Sequence, residues 1–196
     1  MITNRSSGRM GFALAEAARN RGALVTAVVG RVSVPPPVGI RIARVRTSAD
    51  MSLALKEHFA QNDVLIMAAA VSDFAPSALP ARKQKGESWT IELRRTEDIL
   101  ASLGKIKEKK YIIGFALETE NLEANSLKKL IKKKCDLIVV NNPLETGAAF
   151  EYETNAVTLY NAAGKICSTG LKSKHEIADI ILQTAMGESA FRQVAK

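Results

Sequence analysis

The sequence predicts an α/β protein: a Rossmann-like, doubly wound, mostly parallel sheet flanked by helices, with a small β-hairpin extension. Three observations predict it. Apolar runs at residues 23–30, 63–70, 110–116 and 135–140 are nearly continuous, as strands buried on both faces require. Stretches with helical apolar spacing separate them, and turn residues such as Gly22, Gly30 and Pro143 punctuate the alternation.

The elements follow in order. A helix is expected over residues 9–21, closed by Gly22, which suits the left-handed position past a helix end. A strand over 23–30 comes next. Residues 31–39 hold Pro35-Pro36-Pro37, which cannot supply ladder donors, so they form a surface loop. Residues 40–45 alternate as a strand, Ser48 caps a helix over 49–61, and 63–70 is a buried strand. Residues 71–88 break the rhythm with two prolines and the basic cluster Arg82-Lys83-Gln84-Lys85-Gly86. A strand over 89–93, a helix capped by Thr96 and running to 107, and a third buried strand at 110–116 follow. A helix over 121–134 leads to the fourth buried strand, which ends in Asn141-Asn142-Pro143. Strand 156–160 turns through Asn161-Ala162-Ala163-Gly164-Lys165 as a hairpin, and a last helix spans 174–186. One domain over residues 1–187 is expected, with a flexible basic loop at 75–88 and a fraying tail at 188–196.

Composition narrows the function. The chain of 196 residues is 46% hydrophobic and 24% charged, which is globular and not disordered. No apolar run reaches the roughly 20 residues that span a bilayer, so no membrane partner and a cytoplasmic location are expected. The formal charge of +8 calls for an anionic partner. Cys135 and Cys167 lack metal-ligand spacing and read as inert thiols, and neither His58 nor His175 has a sequence neighbour that suggests a triad or a metal site.

Candidate chemistry collects at two kinds of place. Thr3-Asn4-Arg5-Ser6-Ser7-Gly8-Arg9 runs straight into a helix, whose first N–H groups and positive dipole end suit a phosphate or carboxylate. In an open α/β sheet, ligands also gather at the carboxyl ends of strands, which here carry Ser72-Asp73-Phe74, Phe115 to Thr119, and Asn141-Asn142. On the helix at 121–134, Lys128 with Lys132 and Lys129 with Lys133 stack like charges one turn apart, a mild strain that an anionic ligand relieves. A nucleotide-binding βαβ unit places a strand before its first loop, yet only Met1 and Ile2 stand there. That strand is missing, lies upstream, or is replaced from elsewhere.

The segments Ile2 to Gly11, Ala69-Ala70-Val71-Ser72-Asp73-Phe74, Lys83-Gln84-Lys85, Gly114 to Thr119, and Lys133 to Val139 closely resemble the phosphopantothenate-cysteine ligase family, over about residues 2–186. The resemblance implies ligation of 4'-phosphopantothenate to L-cysteine through an acyl-nucleotidylate, with CTP (or ATP) and Mg2+ as cofactors. It implies Asn4 and Lys83 as catalytic residues, with Asn4 at the acyl phosphate. Nucleotide contacts are implied for Asp73, Lys83, Asp98, Ile99, Phe115, Lys129 and Lys133, with Lys85 beside Lys83. Substrate contacts are implied for Asn4, Ser6, Ser7, Gly8 and Asn141, and no direct protein ligand to a metal is expected. Glu97 stands where the family has a proline. The resemblance also implies a homodimer, with strands around residues 156–169 in contact. The upstream strand with its Thr-x-Gly-Gly-Thr loop and Asp-x-Val-Arg segment, which the family carries, does not precede Met1.

Taken without the family, the same residues have plainer readings: Asn4 as a helix cap, Asp73 as a turn residue, Lys83 as solvated surface, Phe115 as core and Asn141 as a turn residue. Two other functions fit parts of the chain. A NAD(P)-dependent oxidoreductase fits the Rossmann-like rhythm, but Gly8-Arg9-Met10-Gly11 lacks the dinucleotide spacing and no acidic residue closes the strand ending at Gly30. A nucleic-acid-binding module fits the charge, but aromatics are only 5% and do not interleave with the basic residues, so no nucleic-acid partner is expected.

Overall fold

In the computed structural model, which describes residues 6–78, 88–141 and 153–194, helices and strands alternate as the apolar runs predict. Helix α1 (Arg9–Asn20) leads through Gly22, at φ 87°, to β1 (Thr26–Val29). β2 (Arg41–Arg44), α2 (Ser48–Phe59) and β3 (Val64–Met67) follow, then the short β4 (Phe74–Pro76) and β5 (Leu93–Arg95). Next come α3 (Ile99–Lys105), β6 (Tyr111–Leu117), α4 (Leu122–Lys133) and β7 (Leu137–Asn141). The remainder is β8 (Thr154–Asn155), β9 (Val157–Asn161), β10 (Gly164–Ser168), β11 (Lys172–Ser173), α5 (Lys174–Gly187) and α6 (Ser189–Val194).

The central sheet has the order β10-β9-β7-β6-β3. β3, β6 and β7 are parallel, and the β9–β10 hairpin adds to β7 antiparallel, so the hairpin extends the sheet itself. Strand side chains alternate between faces, and both faces are sealed. Tyr111, Ile113, Leu137 and Val139 meet Ala13, Leu14 and Ala17 of α1 and Ile177 and Ile181 of α5. Ile112, Ile138 and Val140 meet Met51 of α2, Leu100 and Leu103 of α3 and Leu130 of α4. Each such aliphatic side chain, at 0 to 8% exposure, contributes roughly 1.5–3 kcal/mol of burial. No helix among the described residues is long and apolar enough to cross a membrane.

Several sequence expectations shift. β1 is shorter than residues 23–30, because Leu24 is 98% exposed and, among the described residues, the strand pairs with β2 alone. The cap of α2 is Thr47, not Ser48: its hydroxyl accepts the Asp50 N–H at 3.1 Å while the Asp50 carboxylate accepts the Thr47 N–H at 2.9 Å. The cap of α3 is Asp98, which accepts the Ala101 N–H at 3.1 Å. Thr96 instead ties the strand before it, donating its hydroxyl to the Ser72 carbonyl at 2.6 Å. The alternation at 89–93 marks no core strand. Trp89, Ile91 and Leu93 are exposed, and the pairing lies three residues on, where Leu93–Arg95 meets Phe74–Pro76 antiparallel. The stretch read as a fraying tail holds α6. Phe191 sets its ring edge-on to Tyr111 at 5.1 Å, and Glu188 accepts hydrogen bonds from Tyr111 and Asn161, both at 2.8 Å.

The backbones of α3 and α4 come close together at Gly104. A Cβ there would stand 2.2 Å from the Lys133 carbonyl oxygen of α4. Because the obstacle is main chain, the helices must part to admit any side chain. Gly104→Ala is expected to cost about 1–3 kcal/mol, read as a lower urea midpoint at unchanged slope.

Candidate functional site

Four elements bring polar groups to the carboxyl rim of the parallel strands. The first is the loop entering α1. Gly8 caps this helix at φ 83° without a side-chain bond, and a Cβ there would sit 2.6 Å from Val32, so only glycine fits. Ser7 accepts the Arg9 N–H with its hydroxyl at 3.4 Å, and its carbonyl accepts the Ser33 N–H at 3.2 Å. These bonds hold Ser6, Ser7 and Gly8 beside the segment that leaves β1.

The second is the segment after β3. Asp73 is exposed, and its carbonyl accepts the Thr96 N–H at 2.9 Å. Ser72 donates to the Phe74 carbonyl at 2.9 Å. The backbone of Asp73 is thus fixed while its carboxylate stays in solvent. Phe74 stacks under the Arg95 guanidinium at 5.5 Å.

The third is the carboxyl end of β6. Phe115 is half-buried at the edge of the core cluster beneath α1 and α5. Three residues past it, Glu118 has a side chain only 11% exposed and forms an ion pair with Lys129 of α4. Its N–H donates to the Asn141 carbonyl at 3.2 Å, which binds the ends of β6 and β7 together, and Asn141 is itself buried.

The fourth is α4 with the start of α3. Lys133 reaches Asp98 at 3.4 Å, one turn beyond the Lys129–Glu118 pair. The four helix lysines therefore divide. Lys129 and Lys133 are half-buried and paired with rim carboxylates, while Lys128 and Lys132 face solvent. Like-charge strain on the inner face is already relieved by Glu118 and Asp98, a screening that the lysine spacing does not reveal. Ile99 places its side chain in the core at 3% exposure, so only its backbone is at the rim.

Asn4, Lys83, Lys85 and Asn142 lie outside the described residues. Two residues were not singled out in the sequence. Glu118 stands within the strand-end run Phe115 to Thr119, where nothing marks it as the counterion of Lys129. Lys174, the first residue of α5, gave no signal: a lysine after a serine cap looks like surface, yet it is buried, and its pKa is lowered by burial and by the neighbouring Arg9 charge. The other residues of doubtful role resolve simply. Cys135 is buried, which pushes its thiol up to about 12, and both cysteines are free. His175 pairs with Glu16 at 3.2 Å, between α1 and α5 and away from the rim.

Glu97, where the resembling family has proline, clips α2 to the start of α3. Its carboxylate accepts from Lys56 at 2.8 Å and from Ser52 at 2.6 Å. The hydrogen bond from Lys56 first, then those from Ser52 and Ser102, hold its pKa down to about 2.

The rim so assembled, with two ion-paired lysines on one helix and polar groups on three loops, defines an α/β protein of the doubly wound class whose polar side chains collect at the carboxyl ends of its strands. The chain belongs to the DNA/pantothenate metabolism flavoprotein C-terminal domain family, whose family model matches residues 1–187. It is 40% identical over 185 residues to the coenzyme A biosynthesis bifunctional protein CoaBC of Bacillus subtilis (strain 168), covering 93% of this chain and 46% of the relative. It is 45% identical over 185 residues to a cysteine/cysteine sulfinic acid decarboxylase of an unknown prokaryotic organism, covering 92% and 52%. The chain thus spans about half the length of these curated relatives. A crystal structure of the C-terminal domain of CoaBC matches with a TM-score of 0.79 at 38% identity, over 93% of this chain and 83% of that one.

The Glu97 clip predicts an acid-sensitive step. A carboxyl held near 2 in the folded protein and near its ordinary 4.5 when unfolded contributes stability above pH 4.5, and loses it as pH falls toward 2. Glu97→Gln is expected to flatten the fall in urea midpoint between pH 5 and about 2.5, with the other carboxylates still titrating.

Proposed function

We propose that this chain carries the ligation of 4'-phosphopantothenate to L-cysteine in coenzyme A biosynthesis, driven by a nucleoside triphosphate, CTP in this reading. The observation that carries it is the pair Lys129 and Lys133, turned inward on α4 and held by Glu118 and Asp98 at the carboxyl rim. A triphosphate entering there exchanges two carboxylate contacts for phosphate contacts on charges that are already oriented. Membership of the family and likeness to the C-terminal domain of CoaBC support the same reading.

A free carboxylate is a poor electrophile, so the chemistry needs two displacements. The substrate carboxylate oxygen attacks the α-phosphorus, and pyrophosphate leaves with the P–O electron pair. The cysteine amine then attacks the acyl carbon, nucleoside monophosphate leaves, and the nitrogen releases its proton to solvent. In this scheme Lys129 and Lys133 bind the polyphosphate, Phe115 meets base or ribose, and Asp73 receives ribose hydroxyls. Ser6, Ser7 and Gly8 with Asn4 hold the acyl phosphate at the start of α1, Asn141 contacts substrate, and Lys83 neutralises the reacting phosphates.

A magnesium ion arriving with the nucleotide would neutralise phosphate charge. Among the described residues no three His, Cys, Asp or Glu side chains converge to hold a metal, and Glu118 and Asp98 are engaged by lysines. In this reading the ion is carried by the triphosphate. The reading includes a homodimer with contacts through strands around residues 156–169, which sedimentation tests.

The reading is tested by pyrophosphate release with CTP or ATP, magnesium and 4'-phosphopantothenate, with and without cysteine. Release that depends on the pantothenate substrate, and is faster with CTP, is expected. Failure to release pyrophosphate with either nucleotide overturns it. Lys129→Ala and Lys133→Ala are each expected to weaken triphosphate binding roughly 10- to 100-fold by calorimetry, the worth of one charged hydrogen bond. Lys128→Ala and Lys132→Ala are expected to change it little.

A further inference from the structure

Helices α2, α3 and α4 share one apolar cluster on the same face of the sheet, and α3 is the shortest, at 7 residues against 12 and 12. Its buried Ile99, Leu100 and Leu103 hold it to the sheet, but apolar contact is not directional and leaves the helix free to slide. What fixes its first turn is the pair of consecutive carboxylates that open it, Glu97 and Asp98, and these bond to opposite neighbours.

Glu97 is tied to α2. Its Oε2 accepts the Ser52 hydroxyl at 2.6 Å and its Oε1 accepts the Lys56 ammonium at 2.8 Å, with Ser102 of α3 as a third donor. Ser52 is buried and lies one turn from Lys56 on the same helix, so the two donors arrive as a matched pair. Asp98 is tied to α4. Its Oδ1 accepts the Ala101 N–H at 3.1 Å and also faces the Lys133 ammonium at 3.4 Å. One oxygen therefore serves both the helix start and a rim lysine.

The two rim lysines are consequently held in different ways. Glu118, the partner of Lys129, stands at the end of β6, where its N–H is bonded to the Asn141 carbonyl of β7. Asp98, the partner of Lys133, follows the exposed strand Leu93–Arg95, and the Thr96 bonds to Ser72 and Asp73 lie before it. Lys133 is thus aimed only as well as the start of α3 is held, and on the α2 side that hold is Glu97.

We propose that Glu97 is a positioning residue for the polyphosphate subsite: by clamping the first turn of α3 to Ser52 and Lys56 it sets where Asp98 stands, and through Asp98 where Lys133 presents its charge. The inference rests on the reading of Lys129 and Lys133 as polyphosphate ligands and goes beyond it, since among the described residues Glu97 bonds to neither lysine. The sign of the effect separates positioning from plain charge. An anion beside an anion site repels the ligand, so by Coulomb's law alone its removal tightens binding. Loss of a clamp weakens it, because the lysine is no longer oriented in advance.

The test titrates inorganic triphosphate into the full chain by calorimetry near neutral pH, which reads the subsite without turnover. Glu97→Ala and Glu97→Asp are each expected to weaken binding roughly three- to tenfold, the second because it keeps the charge but is too short for both donors. Glu97→Gln keeps the length and an acceptor oxygen and is expected to lose less than either. In a Lys133→Ala background the changes at residue 97 are expected to shift affinity by less than about twofold, a dependence that general loosening of the fold does not produce. Urea midpoints show which variants are folded at the titration temperature. Should Glu97→Ala unfold, Ser52→Ala removes one donor from the same clamp and is expected to weaken binding in the same direction. The proposal is overturned if Glu97→Asp binds as tightly as the parent chain, if Glu97→Ala binds more tightly, or if the loss is equal with and without Lys133. Where Lys133→Ala weakens binding and the changes at residue 97 do not, only the clamp fails. Where Lys133→Ala alone leaves binding unchanged, the phosphate reading of α4 fails and the clamp falls with it.

Discussion

The structure depends on the two-sided burial of β6 and β7. Ile112, Ile113, Leu137 and Val139 are at 0% exposure, and a strand in that position can satisfy its backbone only through hydrogen-bonded neighbours on both edges, parallel β3 and β7 for β6, parallel β6 and antiparallel β9 for β7. That requirement forces helices onto both faces and sends every connection across the ends of the sheet. The candidate site follows from it. Where β6 and β7 run out, the Glu118 N–H to Asn141 carbonyl bond closes the ladder, and the first polar side chains beyond it are those of the rim.

Much of this was legible in the sequence because burial on both faces leaves a plain mark. The run at 110–116 and its partner at 135–140 fall within one or two residues of β6 and β7. The hairpin was equally plain, since Asn161 and Gly164, at φ 119°, bracket its turn. What misled was local chemistry with more than one use. Ser48 and Thr96 are good cap residues, but Thr47 and Asp98 precede their helices in the geometry that lets a side-chain oxygen reach an N–H three residues on. The alternation at 89–93 reads as a strand, but its apolar side chains are exposed, and the ladder to Phe74–Pro76 starts only at Leu93.

The site divides in the same way. Residue types at the strand ends pointed to Asp73, Phe115 and Asn141, and the structure places all three at the carboxyl rim. Pairing could not be seen. Lys129 and Lys133 differ from Lys128 and Lys132 only in which face of α4 the packing of Ser126 and Leu130 turns inward. Glu118 and Asp98 become their counterions only once β6 and α3 are placed beside that face. The net charge of +8 is thus a poor guide to any one locus, because the cations nearest the rim are those with carboxylates already upon them.

One residue of α4 touches α3 at both of its ends. The Lys133 carbonyl lies against Gly104 in the last turn, and the Lys133 side chain reaches Asp98 at the first. Helix α3 is short enough for a single lysine to span it, with backbone at one end and ammonium at the other. The interhelical spacing is consequently a gauge of the electrostatics at the rim. A displacement of α3 by the width of a methyl group, wherever along the chain it arises, becomes a change in the separation of opposite charges at Lys133 and Asp98. Steric fit at a glycine and the strength of an ion pair several residues away are, in this protein, two readings of one distance.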